Sequence, residues 1–287
     1  MRYEAPQTLE AAVELLGSAN GLAKILAGGT DLLVQMKTDA IKPDVIVDIK
    51  NVDDIGTITG DATYGYRIGA AATAADMDEH LLLGQDWPGV VEGATVIGSS
   101  QIQSRCTMAG NLCNGSPAAD SIPALIAAGA TVDIAGPEGL RQMPVKDIII
   151  GPRKLVISRH EFIVAFQLPA RKPRAADAYL RFIPRTEMDI AVVGAGINLE
   201  VDAAGTILAA NVALGAVAST SLLAAEAGRV LVGTSLGSKA LEDLDVAVQA
   251  ACNPINDKRG TIEYRTKVAG VIARRAAEIA YERAGAR

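Results

Sequence analysis

Short aliphatic runs with the period of a strand alternate along this chain with helical runs, and most joints between them are built from glycine and alanine. That alternation restricts the chain to packed layers of helix and sheet, an α+β architecture, and excludes a helical bundle or a sandwich. The first unit opens with a helix over LEAAVELLGSA, where Leu9, Val13 and Leu16 share one face and Thr8 precedes the first turn. AKILAGGTDLLVQMK reads as a strand, a Gly28-Gly29 turn and a short helix from about Asp31, with DVIVDI at 44–49 as the next strand. Residues 66–83 repeat that device, with Thr73 as the N-cap of one helix. A buried segment follows from Gly89 to Gly98, then a helix from about Pro123, a strand at 131–135 and a strand at 161–169 that stops at Pro169.

Composition shifts at ARKPRAADA, so a linker between two α+β units is expected near 170–176, with RKPR at 171–174 as its solvated basic stretch. Beyond it DIAVVGAGINLEV and TILAANVALGAVA are neighbouring strands joined around Asp202 to Gly205. Helices at about 238–250 and 264–285 finish the chain. The composition is 49% hydrophobic but only 3% aromatic, so the core must be filled by Ala, Val, Ile and Leu packed against bare backbone.

Charge and cysteine usage narrow the function classes. A net charge of -6 gives no support to nucleic-acid binding. Cys106, Cys113 and Cys252 have neither a zinc spacing nor a disulfide framework, and with only His80 and His160 beside them no metal site is expected in this chain. No uncharged apolar run approaches the roughly 20 residues of a membrane span, and the N-terminus lacks a signal pattern. The expectation is a cytoplasmic protein with no integral membrane segment.

Two glycine-rich turns carry the functional signal. LAGGTDLL at 26–33 lets the backbone turn without a Cβ penalty and approach a ligand closely. RCTMAGNLCNGSPAAD at 105–120 offers Thr107 and Asn111 around Gly110, a set suited to a pyrophosphate, while Asp120 could accept hydrogen bonds from sugar hydroxyls or simply cap the next helix. Gly194-Ala195-Gly196 fails as a dinucleotide fingerprint, because Leu199 replaces the third glycine and a strand continues where a helix should start; it reads as a sheet turn or a tight packing site. With no Walker A ending and no hydrolytic triad, a bound cofactor accounts best for the chemistry.

These two turns, in this order, resemble the FAD-binding subunit of the molybdenum hydroxylase family, which includes xanthine dehydrogenase and aerobic carbon monoxide dehydrogenase. YLRFIPRTEMDIAVVGAGINL and EYRTKVAGVIARRAAEIA resemble the family's C-terminal domain, so the likeness spans nearly the whole chain. It implies a two-lobed PCMH-type FAD-binding domain over residues 1–173, with lobes of about 1–55 and 56–173. A smaller α+β domain of the carbon monoxide dehydrogenase flavoprotein C-terminal type would then cover 174–287. In that frame Leu26, Ala27, Gly28, Gly29, Thr30, Asp31, Leu32 and Leu33 form the first FAD loop, and Thr107, Met108, Ala109, Gly110 and Asn111 the second. Asp120 takes the hydroxyl-binding position, Gly98 a cofactor wall, Phe162 and Ile163 apolar contacts, and Arg181 a cation facing the flavin or, alternatively, a domain-boundary salt bridge. Ala109 departs from a usual glycine, and Arg181 stands where some relatives carry Lys.

The resemblance implies an electron-transfer subunit. A large partner would hold the molybdenum cofactor and a small partner two [2Fe–2S] clusters, FAD here would pass electrons to an external acceptor, and the assembly would be a dimer of heterotrimers. The rival readings are a self-contained FAD oxidoreductase and a scaffold without flavin.

Overall fold

Residues 1–185 and 187–285 are described by the computed structural model; Thr186, within the YLRFIPRTEMDI segment, and the final two residues lie outside the described set. The first lobe runs β1 (Arg2–Glu4), α1 (Leu9–Gly17), β2 (Ala23–Leu26), α2 (Leu32–Lys37) and β3 (Val45–Asp48). Its sheet is parallel, in the order β1-β3-β2. The all-buried VIVD of β3 fills the centre, as a strand covered on both sides should. The chain therefore opens on a strand and not on a helix; three residues are too few to show a period. Helix α1 begins where expected, with the Ala11 N–H donating to Thr8 Oγ1 at 3.2 Å.

The second lobe runs β4 (Ile58–Asp61), β5 (Gly65–Gly69), α3 (Ala74–Glu79), α4 (Leu81–Asp86), α5 (Pro88–Thr95), α6 (Ser100–Gln103), α7 (Met108–Cys113), α8 (Ser121–Ala128), β6 (Thr131–Gly136), β7 (Gly139–Pro144), β8 (Ile149–Gly151), β9 (Lys154–Leu155) and β10 (Phe162–Leu168). Five strands form an antiparallel sheet ordered β4-β5-β10-β6-β7, and β8-β9 is a separate hairpin. Thr73 caps α3 in a reciprocal box with Asp76. The helix expected over this region breaks at His80, whose Nδ1 accepts the Leu83 N–H at 3.1 Å and starts α4. The buried run after Trp87 is helix α5, started by Pro88 at its first position.

The C-terminal unit is an antiparallel sheet in chain order, β11 (Ala175–Phe182), β12 (Val193–Val201), β13 (Ile207–Gly215) and β14 (Leu222–Leu223), followed by α9 (Ala225–Arg229), α10 (Ser238–Ala251) and α11 (Ile262–Gly285). Helix α11 lays an alanine-rich face, including Ala269, Ala273, Ala276 and Ala280, on β11 and β12. Each unit has its own apolar core. Every residue of α8 is buried, because it is covered from both sides: by its own lobe and by β12 and β13. Gly196 makes that approach possible, since a Cβ there would lie 2.6 Å from the Pro123 carbonyl oxygen. The glycine pair of β12 is thus a packing site.

Within the RKPR stretch Lys172 and Pro173 are exposed, as a solvated linker requires, but Arg171 is not. Arg171 is buried, donates to Asp177 Oδ1 and Asn198 Oδ1 at 2.9 Å each, and stacks 4.0 Å over the Trp87 ring. Asp177 also accepts the Val90 N–H at 3.1 Å. A charge run of four residues cannot reveal that one member has a buried carboxylate six positions downstream.

Candidate functional site

The first glycine turn folds directly onto the second. A Cβ on Gly28 would sit 2.1 Å from the Arg105 carbonyl oxygen, so only a bare Cα lets the two backbones touch. Gly29 holds φ 79, the left-handed conformation in which a side chain is strained. On the other turn, Thr107 Oγ1 accepts the Gly110 N–H at 3.0 Å and starts α7. Cys106 fixes the approach to that turn, its carbonyl accepting the Ala74 N–H at 3.0 Å. Gln35 of α2 donates to Asn114 Oδ1 at 3.4 Å and joins the helices that follow the turns.

Together these turns line a cleft of about 620 Å³ between the lobes. That volume lies within the range of cofactor pockets, roughly 300–1,000 Å³. Ala27, Gly28, Gly29, Thr30, Asp31 and Leu32 line it from the first turn, and Thr107, Ala109, Gly110 and Asn111 from the second. Phe162 and Ile163 reach it from β10. Gly110 presents an almost open Cα, where a Cβ would meet only Thr107 Oγ1 at 3.3 Å. Asn111 is partly engaged, its Oδ1 accepting from Ser121 Oγ at 2.8 Å.

Six of the expected residues stand off this lining. Leu26 ends β2, Leu33 faces outward on α2, and Met108 is buried in the core. Gly98, with φ 67, packs against Ile102. Asp120 and Arg181 are each other's partner: Arg181 donates to Asp120 Oδ2, and Tyr179 Oη to Oδ1, both at 2.9 Å. This is the domain-boundary salt bridge, joining the start of α8 to β11. Asp120 stands at the N-cap position of α8 without a side-chain capping bond, because its oxygens are turned to β11. Burial pushes its carboxyl up against the opposing pull of Arg181 and Tyr179.

Several lining residues were not expected from the sequence. Lys24, Cys106, Cys113, Asn114 and the β8-β9 hairpin with Arg153 all face the cleft. The hairpin is pinned to the second turn by the Arg153 N–H, which donates to the Gly115 carbonyl at 2.9 Å. Its one sequence signal was the Gly151-Pro152 pair, a turn marker. Burial raises the Cys106 thiol to about 11, so it stays neutral near pH 7 and offers no thiolate to the cleft. Glu161 is held down to about 2 chiefly by the Arg141 guanidinium, 2.6 Å away. No group of His, Cys, Asp and Glu suited to a metal ion occurs among the described residues.

Comparison with known proteins bears on this geometry. Residues 1–171 match the family described as the FAD binding domain in molybdopterin dehydrogenase, and residues 178–280 match the carbon monoxide dehydrogenase flavoprotein C-terminal domain. The chain belongs to the FAD-binding subunits of the molybdenum hydroxylase family. It is 36% identical to the carbon monoxide dehydrogenase medium chain of Afipia carboxidovorans, over 98% of this chain and 97% of that one. It is 30% identical to a xanthine dehydrogenase FAD-binding subunit of Escherichia coli, over 92% and 90% respectively. The solved carbon monoxide dehydrogenase of Hydrogenophaga pseudoflava superposes with a TM-score of 0.93 at 30% identity, covering 99% of this chain and 98% of that one.

The cleft of this FAD-binding subunit fits the cofactor on its own terms. It is open where Gly110 leaves space, lined along one side by the Gly28-Gly29 turn, and walled by Phe162 and Ile163. An extended dinucleotide needs close backbone approach at its phosphates and apolar cover elsewhere, and the two turns and β10 supply both.

Proposed function

We propose that this chain is the electron-transfer subunit of a heteromeric molybdenum hydroxylase, and that its FAD lies along the cleft between the two glycine turns. In this reading FAD accepts electrons from two [2Fe–2S] clusters of a small partner subunit and passes them to an external acceptor, while a large partner holds the molybdenum cofactor and oxidises the substrate. The assembly is a dimer of heterotrimers and works in the cytoplasm; no helix among the described residues is long and apolar enough to cross a membrane. The FAD-binding part ends near residue 173. The observation that carries the reading is the direct seating of one glycine turn on the other, at Gly28 and Arg105, beside a cleft that both turns line.

When bound, FAD supplies the redox chemistry, and the chain's part is to bind it, orient it and exclude water. Ala27 to Leu32 on one turn and Thr107, Ala109, Gly110 and Asn111 on the other come against the dinucleotide, and Phe162 and Ile163 cover an apolar portion. Asp120 and Arg181 couple that site to the second domain through the ion pair between α8 and β11. The Arg181 guanidinium, with its side chain only 10% exposed, is matched there by the Asp120 carboxylate, so the pair fastens the boundary without leaving a net charge.

Native purification from the source cells tests this reading, with mass spectrometry of all chains and flavin, iron and molybdenum analysis. Stoichiometric FAD and two co-purifying partners are expected. Turnover of an organic donor by the isolated chain without iron or molybdenum would instead establish a self-contained oxidoreductase. A folded, colourless chain with no saturable FAD binding would establish a scaffold.

A further inference from the structure

The β8-β9 hairpin turns on Pro152 and Arg153, between the paired residues Gly151 and Lys154. Proline fixes φ of the first turn position near -65°, and Arg153 follows with φ 59. A turn with Pro first and a positive φ second is ordinarily closed by Gly or Asn, because other side chains crowd their own backbone there. This chain places an arginine at that position, against local preference.

The neighbourhood shows what the arginine faces. Arg153 lines the cleft, is exposed, and makes no side-chain hydrogen bond or ion pair among the described residues. The other arginine of the lining, Arg159, donates to the His160 ring at 2.9 Å, and Glu161 is engaged with Arg141. The turn is held rigidly: its N–H is bonded to Gly115, and a Cβ on Gly115, itself at φ 63, would lie 2.8 Å from the Arg153 Cα. A strained backbone kept in place by a second glycine and carrying an unpaired guanidinium at a cleft is a device for presenting charge.

We infer that Arg153 is held in this turn to bind the diphosphate of FAD. Arginine forms paired, charge-assisted hydrogen bonds to phosphate oxygens, and the glycine turns offer the same diphosphate backbone but no formal charge. Lys24 also lines the cleft, and on a chain of net charge -6 Arg153 adds a further cation to draw a dianion into it. The inference rests on the cofactor reading above. It adds a consequence that reading lacks: the residue that strengthens FAD binding should weaken the empty protein.

The test uses the full chain freed of FAD, comparing wild type with Arg153→Gly and Arg153→Lys by thermal unfolding and by titration with FAD, ADP and riboflavin. Arg153→Gly should raise the melting temperature of the empty protein by about 2 °C, since glycine accepts the positive φ. The same variant should bind FAD and ADP about tenfold more weakly, with a shallower salt dependence and unchanged riboflavin affinity. Arg153→Lys should recover FAD affinity to within about threefold of wild type without the thermal gain. Unchanged FAD affinity in Arg153→Gly, an equal loss for riboflavin, or a lowered melting temperature would each overturn the assignment while leaving the cofactor reading intact. A folded wild type that shows no saturable FAD binding overturns both.

Discussion

A Cβ added to Gly28 would lie 2.1 Å from a carbonyl oxygen of the other turn, whereas one added to Gly110 would meet a single hydroxyl at 3.3 Å. The same residue type therefore does two jobs: Gly28 lets the protein close on itself, and Gly110 leaves room for something else. Gly110→Val should leave the stability of the empty protein within about 1 kcal/mol of wild type and lower FAD affinity at least about tenfold. Gly28→Val should destabilise the empty protein by about 2–3 kcal/mol, because neither backbone can move away. Urea unfolding of the FAD-free variants beside fluorescence titration separates the two, and equal effects at both sites would mean that Gly110 also serves only packing. Both glycines stood out in the sequence as a shared kind of turn, yet their difference depends on which backbone lies opposite, which one chain segment does not encode.

Between elements, the joint of α5 with β11 is built from charge where composition promised solvent. Asp177 is held by the Val90 N–H and by Arg171, which itself stacks over the Trp87 ring, and Glu92 of α5 accepts the Tyr179 N–H and pairs with Arg283 of α11. Burial outweighs the pull of Arg171 and pushes the Asp177 carboxyl up to about 6. A carboxyl with a folded pKa above its unfolded value holds its proton more tightly in the native state. Its contribution to stability is then fully present below about pH 4 and declines as pH rises through about 6. Relative to Asp177→Asn, which cannot ionise, wild type should lose about 2 kcal/mol between pH 4 and 7. Paired melting curves across that range check it, and a constant difference would show that Arg171 keeps Asp177 ionised throughout. Long elements such as β10, β12, α10 and α11 were legible because each carries an apolar run or a helical period over seven or more residues. The short strands β1, β4, β7, β8 and β9, and the break at His80, were not, since they are fixed by pairing partners and by one imidazole acceptor.

At the scale of the whole molecule, the site and the second domain are mechanically one object. The second turn leads from Asn111 through Ser121 into α8, and α8 is clamped on its far side by β12 and β13 and at its start by the Asp120, Tyr179 and Arg181 cluster. Domain boundaries usually relax independently when their interface is small and polar. Here the interface contains a wholly buried helix with backbone against backbone at Gly196 and Pro123, so the two cores should unfold together. Gly196→Val removes that condition locally: its side chain must displace the Pro123 carbonyl, which a Cβ alone would already approach to 2.6 Å. The variant should lose about 3 kcal/mol or more and replace one calorimetric transition with two, the FAD-binding domain melting separately. FAD affinity should fall as well, although Gly196 lies outside the cleft lining, because α8 no longer holds Asn111 in register. A single transition with unaltered FAD binding would show instead that the cleft is organised by the two lobes alone and that the C-terminal domain is attached without bracing it.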